Sequence, residues 1–197
     1  MRPEFPIFQN HKDHVHDLWK SLLKPGSIVC DATCGNGQDS AILASLCLSE
    51  DKGKLFCIDL QNQAIETTSE HLKTLFSKKI LSNIYFFHQS HENFPKELPG
   101  CDLIVYNLGY LPRGCKTLTT MVTSTLNSLK NALNLLNPGG VITLMCYPGH
   151  EEGHLEETSL INFTSTLDPK EHLVYHQKIL NRVKAPSLLV IGKKIKQ

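Results

Sequence analysis

The spacing of apolar positions changes period repeatedly along this chain. Val15, Leu18, Trp19 and Leu22 recur at helical spacing, and Pro25-Gly26 stops the run, which predicts a helix over 10–23. Residues 28–32 are a short, continuous apolar run ending in a glycine-bearing turn, the mark of a buried strand. Helical patterns over 39–48 and 62–76 then alternate with strand patterns over 54–58, 84–88 and 102–106. A longer helix over 118–136 is expected to stop at Asn137-Pro138-Gly139-Gly140, a strong break-and-turn signal. A strand over 141–146, a helix over 151–166 and strands over 172–180 and 187–191 complete the pattern.

Strands that alternate with helices predict a parallel sheet covered on both faces. The last two strands follow one another across a short loop, so they should form an antiparallel hairpin at one edge. The expected class is α/β, a seven-stranded, mostly parallel sheet with helices on both faces. Ligands in such sheets bind beyond the carboxyl ends of the strands.

A length of 197 residues suits one domain, 1–197, with 1–24 as an N-terminal helical segment. A net charge of +1 excludes a strongly basic nucleic-acid clamp but leaves room for a local basic patch. No apolar run approaches the ~18 residues that cross a bilayer, and the first residues lack a signal-peptide core. The seven cysteines form no CxxC pair, and several lie inside apolar runs, which fits buried thiols in a reducing compartment. The expectation is a cytoplasmic protein with no metal site.

The most informative stretch is Asp31-Ala32-Thr33-Cys34-Gly35-Asn36-Gly37-Gln38-Asp39-Ser40. Two glycines one residue apart allow a sharp turn that brings backbone amides near a ligand. A dinucleotide fingerprint has a third glycine where this chain has Ser40, and Asp31 stands four positions before the first. The second strand pattern leads into Asp59, 22 residues after Gly37, where a carboxylate can accept bonds from two ribose hydroxyls. Gln61 lies just beyond, and Ser90 and His91 follow the third strand, where polar side chains can flank an adenine. A glycine turn or a strand-end aspartate alone is common; together, at these separations, they point to a nucleoside cofactor. The fourth strand pattern runs into Asn107-Leu108-Gly109-Tyr110-Leu111-Pro112. The spacing of Asn107 and Tyr110 resembles the (Asp/Asn)-Pro-Pro-(Tyr/Phe) loop of amino-methyltransferases. That resemblance implies that the asparagine oxygen and the following carbonyl orient the target amine, while an aromatic ring can stack on a base. A tight turn with a buried tyrosine is the bland alternative.

The pattern DxxxGxG resembles the first motif of class I S-adenosyl-L-methionine-dependent methyltransferases, whose Rossmann-like sheet ends in the hairpin expected here. Asp-Ala-Thr-x-Gly-Asn-Gly at 31–37, Asn-Leu-Gly-Tyr-Leu-Pro at 107–112 and Tyr-x-Gly-His-x-Glu-Gly at 147–153 resemble the rRNA methylase family typified by MnmM (YtqB-like). That resemblance covers essentially residues 5–193. It implies methylation of the 5-aminomethyl group of wobble uridine in tRNA (nm5s2U34 to mnm5s2U34), read in the anticodon stem-loop, with S-adenosyl-L-methionine as cofactor. It further implies Asp31, Gly35, Asn36, Gly37, Asp59, Gln61, Ser90 and His91 as the cofactor set. Asn107, Tyr110 and His150 form the target-amine set, with His150 as a proton acceptor or a structural loop histidine. The chain departs from the family pattern at Arg113-Gly114-Cys115-Lys116 and at Val183-Lys184. An rRNA base or a small-molecule amine is the alternative acceptor.

Other readings use the same residues. His150-Glu151-Glu152-Gly153-His154 matches HExxH, but a glycine interrupts it and a Pro-Gly pair precedes it, against a zinc-binding helix. A nicotinamide oxidoreductase would want the missing third glycine, and a non-catalytic RNA module would have no use for the loop. His11, His14 and His16 read as solvated surface. Candidate phosphate contacts are Arg113, Lys116, Arg182 and Lys184, joined by Lys78, Lys79, Lys193, Lys194 and Lys196. A two-fold homodimer would double such a patch.

Overall fold

The computed structural model describes residues 11–109, 121–182 and 184–195. Seven strands lie in the order β3-β2-β1-β4-β5-β7-β6. They are β1 (Ile28–Asp31), β2 (Lys54–Asp59), β3 (Ile84–His88), β4 (Cys101–Asn107), β5 (Leu136–Cys146), β6 (His172–Gln177) and β7 (Ser187–Lys193). The first five run parallel, while β7 pairs antiparallel with both β5 and β6. The expected architecture and its closing hairpin are what the molecule adopts.

Strand alternation builds two cores. Val29, Leu55, Cys57, Leu103 and Val105 point to one face, where α1 (His11–Leu22), α2 (Gln38–Cys47) and α3 (Asn62–Leu75) contribute Trp19, Leu43 and Leu72. Cys30, Phe56, Ile58, Ile104 and Ile142 point to the other, against Leu129 of α5 (Val122–Leu135) and Leu160 of α6 (Glu151–Thr164). Each of the large side chains that is fully enclosed contributes roughly 1.5–3 kcal/mol of transfer free energy. A short α4 (Lys78–Leu81), started by Ser77, was not expected from the apolar pattern because it buries no residue.

The turn expected at residues 137–140 is corrected. Leu136 already pairs with Cys101, and pairing resumes at Leu103 with Val141, so the Asn-Pro-Gly-Gly segment is an irregularity within β5 rather than a connection before it. Asn137 Nδ2 donates to Asp102 Oδ1 at 2.9 Å, and Asp102 Oδ2 accepts from the Ile28 amide at 2.8 Å. A Cβ on Gly140 would stand 2.8 Å from the Cys101 carbonyl, so only glycine lets the two strands close. Further along, β6 ends at Gln177 rather than 180, and β7 runs on to Lys193. The chain order reverses between β1 and β4, and their carboxyl ends lie side by side, with Asp31 paired to Val105.

Candidate active site

Asp31 ends β1 almost fully buried, at 1% exposure. Its Oδ1 accepts from the Thr33 amide at 3.2 Å and its Oδ2 from the Ser40 hydroxyl at 2.6 Å. Ser40, in the place of a third glycine, is therefore a buried donor to the motif's own aspartate. Burial, with the charges of Asp39 and Asp59, pushes the Asp31 carboxyl up to about 7, although the Ser40 and Thr33 bonds oppose it.

The glycine turn is held from two sides. Asp59, at the end of β2, accepts from the Gly35 amide at 3.0 Å through Oδ2 and from the Gln61 amide at 2.9 Å through Oδ1. Burial raises its carboxyl too, against those backbone bonds. Gly37 starts α2 with φ 77°, and a Cβ there would lie 3.0 Å from the Thr68 backbone of α3. Its glycine thus serves helix packing as well as the turn. Asn36 is exposed beside it, and Gln61 sits at the start of α3.

Past β3, the Ser90 hydroxyl accepts from the Glu92 amide at 3.2 Å. The His91 ring lies edge-on to Tyr106, with centroids 5.7 Å apart. Burial lowers its pKa to about 4, keeping the ring neutral, although Glu92 opposes the shift. Its Nδ1 is buried without a hydrogen-bond partner among the described residues, the condition a ligand bond would relieve.

At the neighbouring strand tip the Asn107 amide N–H donates to Thr33 Oγ1 at 2.7 Å, tying β4 to the loop after β1. Asn107 Nδ2 donates to Asp39 Oδ2 at 3.0 Å, and His16 Nε2 donates to Asp39 Oδ1 at 2.9 Å. Burial pushes the Asp39 carboxyl up, but the bond from His16, the Lys12 ammonium and the Asn107 bond outweigh it and leave it below the usual carboxylate range. Asp31, Asp39 and Asn107 border a cavity of about 10 Å³ that Lys12, Val15 and Trp19 of α1 also line. Trp19 Nε1 donates to Thr143 Oγ1 of β5 at 3.1 Å. Tyr147, just past β5, packs 3.9 Å from where a Cβ on Gly109 would lie. Burial pushes its phenol up to about 12, with the Asp39 charge adding and a hydrogen bond from Asn107 opposing.

Three carboxylates thus crowd the tips of β1, α2 and β2, a setting that favours a cationic ligand. Residues 55–193 match the family model described as "Putative rRNA methylase". The chain belongs to the rRNA methylase family. A tRNA (mnm(5)s(2)U34)-methyltransferase, chloroplastic, from Arabidopsis thaliana is 32% identical over 186 residues, covering 91% of this chain and 68% of that protein. A crystal structure of a "putative rRNA-methylase" from Clostridium thermocellum is 33% identical with a TM-score of 0.87, covering 93% of this chain and 97% of the other. That of a "putative methyltransferase" from Streptococcus mutans in complex with SAH is 29% identical with a TM-score of 0.81, covering 93% and 98%. Family and fold make this chain a methyltransferase.

Within this methyltransferase the remaining expected residues fall in different places. Tyr110, Arg113 and Lys116 lie outside the described residues, as does Lys196. His150 caps α6: its Nδ1 accepts from the Gly153 amide at 3.1 Å. That bond uses the Nδ1 lone pair, the one a proton acceptor would need, while Glu152 Oε2 sits 3.2 Å from the same nitrogen. The HExxH pattern therefore begins at a cap, outside the helix. Arg182 and Lys184 are exposed. Lys193 is corrected: its ammonium donates to the carbonyls of Leu133 and Leu136 at 3.2 and 2.8 Å, closing the end of α5 rather than facing a phosphate. Lys79 pairs with Glu50.

His16 is the other correction. It is part-buried and turned inward, stacked obliquely 5.0 Å from Trp19. The available signal was its position three residues before Trp19, on the face α1 presents to the sheet. Asp39 and Tyr147 were visible only as polar residues inside quoted motifs.

Proposed function

We propose that this methyltransferase uses S-adenosyl-L-methionine to methylate the 5-aminomethyl group of wobble uridine in tRNA, converting nm5s2U34 to mnm5s2U34. The observation that carries the reading is Asn107, held at the tip of β4 beside the Asp31 and Asp39 carboxylates, with its backbone and side chain both anchored. The relatedness to a wobble-uridine enzyme over 91% of the chain points the same way.

The cofactor supplies a methyl group already activated on a sulfonium sulfur. Asp31 and Asp59, the backbone of Gly35, Asn36 and Gly37, and Gln61, Ser90 and His91 are the residues that would hold it. The buried, partly uncompensated Asp31 suits an ammonium, and Asp59 retains lone pairs for hydroxyl donors beyond the two amides it already serves. The chain's remaining task is to present a neutral amine in line. Asn107 Oδ1 and the Leu108 carbonyl accept the two amine N–H bonds, which directs the nitrogen lone pair away from them. The nitrogen gains one N–C bond as the C–S bond breaks, and one proton leaves the product ammonium to solvent. A partly apolar site lowers the amine's pKa and so favours the free base. Tyr110 packs the uracil ring in this reading, and His150 is left as a cap.

Arg182 and Lys184, with Arg113 and Lys116, contact the anticodon stem-loop phosphates, and a homodimer extends that basic surface. Buried, unpaired cysteines suit a cytoplasmic setting. Nucleoside mass spectrometry of tRNA and rRNA from cells with and without the protein tests the acceptor. Loss of the methylaminomethyl nucleoside from tRNA alone supports it, and loss of a methylated rRNA base instead overturns it. Binding to the stem-loop should weaken steeply with added salt, and a flat response would remove the phosphate contacts.

A further inference from the structure

The Asn107 side chain has two chemically opposite ends, an oxygen that accepts and an NH2 that donates. Left alone, a terminal amide can turn either end toward a substrate. Here Nδ2 lies 3.0 Å from Asp39 Oδ2, and an ionised carboxylate has no proton to give, so the end facing it must be the NH2. The oxygen is thereby turned away from Asp39. The other Asp39 oxygen receives the Nε2–H of His16 at 2.9 Å, so each oxygen is held by a donor from a different element. Asp39 also stands in the first turn of α2, where the helix dipole favours a negative charge.

We propose that Asp39 is a positioning residue that locks the Asn107 amide with its oxygen toward the substrate, and that His16 holds Asp39 in that pose from α1. The inference rests on reading Asn107 as the amine acceptor. Its consequence is a choice of substrate class. An amine with N–H bonds to donate meets an oxygen and is oriented. A group with only lone pairs, such as a carbonyl oxygen or an unprotonated ring nitrogen, meets a lone pair in return and is turned away. A reversed amide would invert that preference, setting donor against donor.

The test uses Asp39→Asn, Asn107→Asp and the double exchange of both. In Asp39→Asn the partner no longer dictates which end of Asn107 it receives, and kcat should fall by ~100-fold while cofactor affinity is kept. In the double variant the amide at position 39 donates to the carboxylate at position 107, whose second oxygen again faces the amine. The kcat should recover by about tenfold over Asp39→Asn, a gain of the size expected within one hydrogen-bond network. In 15N-labelled protein the Asn107 side-chain NH2 protons should be slow to exchange, and Asp39→Asn should abolish that protection. Wild-type kcat in Asp39→Asn, a double variant no better than the single, or unchanged NH2 protection would each overturn the role. If the wild-type protein methylates no aminomethyluridine tRNA, the acceptor reading falls, and the NH2 signals still decide the positioning role by themselves.

Discussion

Two sets of polar side chains meet across the strand tips, and they are wired differently. Around the side proposed for the nucleoside, Asp31 bonds to Thr33 and Ser40, and Asp59 bonds to Gly35 and Gln61, at sequence separations of 2 to 24. On the side proposed for the amine, Asn107 reaches Asp39 across 68 residues and Trp19 reaches Thr143 across 124. The first set needs little more than one turn and one strand pair. The second exists only once α1, α2, β4 and β5 have all docked. Changes in the first set should therefore read out as affinity, and changes in the second as turnover or global stability.

That division can be broken most severely at Asn107. Asn107→Ala should lower single-turnover methylation by ~1,000-fold, as losses of oriented polar groups do, with calorimetric cofactor affinity unchanged. Affinity falling by the same factor would move Asn107 to the other set. Next in size, Asp59→Ala removes the acceptor of two backbone bonds and should weaken cofactor binding by ~100-fold, at charge-assisted bond strengths, while turnover at saturating cofactor persists. Turnover lost at saturation would show that the two sets are one.

Asp31 sharpens the contrast through pH. Its folded pKa of about 7 stands above the ordinary carboxylate value of 3.8, so between the two the folded protein holds a proton that the unfolded chain has released. Stability from this group is complete below the unfolded value and is lost progressively as pH rises through about 7. A bound ammonium favours the ionised carboxylate, so cofactor affinity should rise by up to about tenfold per pH unit below that pKa and level off above it. Titration calorimetry from acid to neutral pH checks this, and Asp31→Asn should flatten the profile. The smallest effect belongs to Thr143→Val, which strands the buried Trp19 N–H and should cost ~1–2 kcal/mol in chemical denaturation without altering cofactor affinity. A shift in affinity there would tie α1 to the nucleoside side.

Much of the frame was legible because it is written in periodicities and turns. Buried strand runs, the helix stops and the short final connection predicted the parallel sheet with its hairpin. The exceptions share one cause, that a residue's local signal was overridden by a distant partner. Gly139 and Gly140 read as a turn, yet Cys101 pairs with Leu136 ahead of them and draws the segment into β5. Lys193 read as a free cation, yet the open carbonyls at the end of α5 claim it. His16 read as solvated because charge and polarity speak for water, and only the docking of α1 against α2, which brings Asp39 to a ring already beside Trp19, turns it inward.

The amino-acid order by itself determined where the chain turns, which faces are apolar, and that carboxylates stand at the ends of the first two strands. Those features follow from steric and solvation preferences within a few residues of each other. Which end of the Asn107 amide faces outward, and which proton-bearing groups surround Asp39, was decided only by the folded molecule. A hydrogen bond between segments 68 residues apart has no local signature, because its geometry is set by the packing of the elements that carry it.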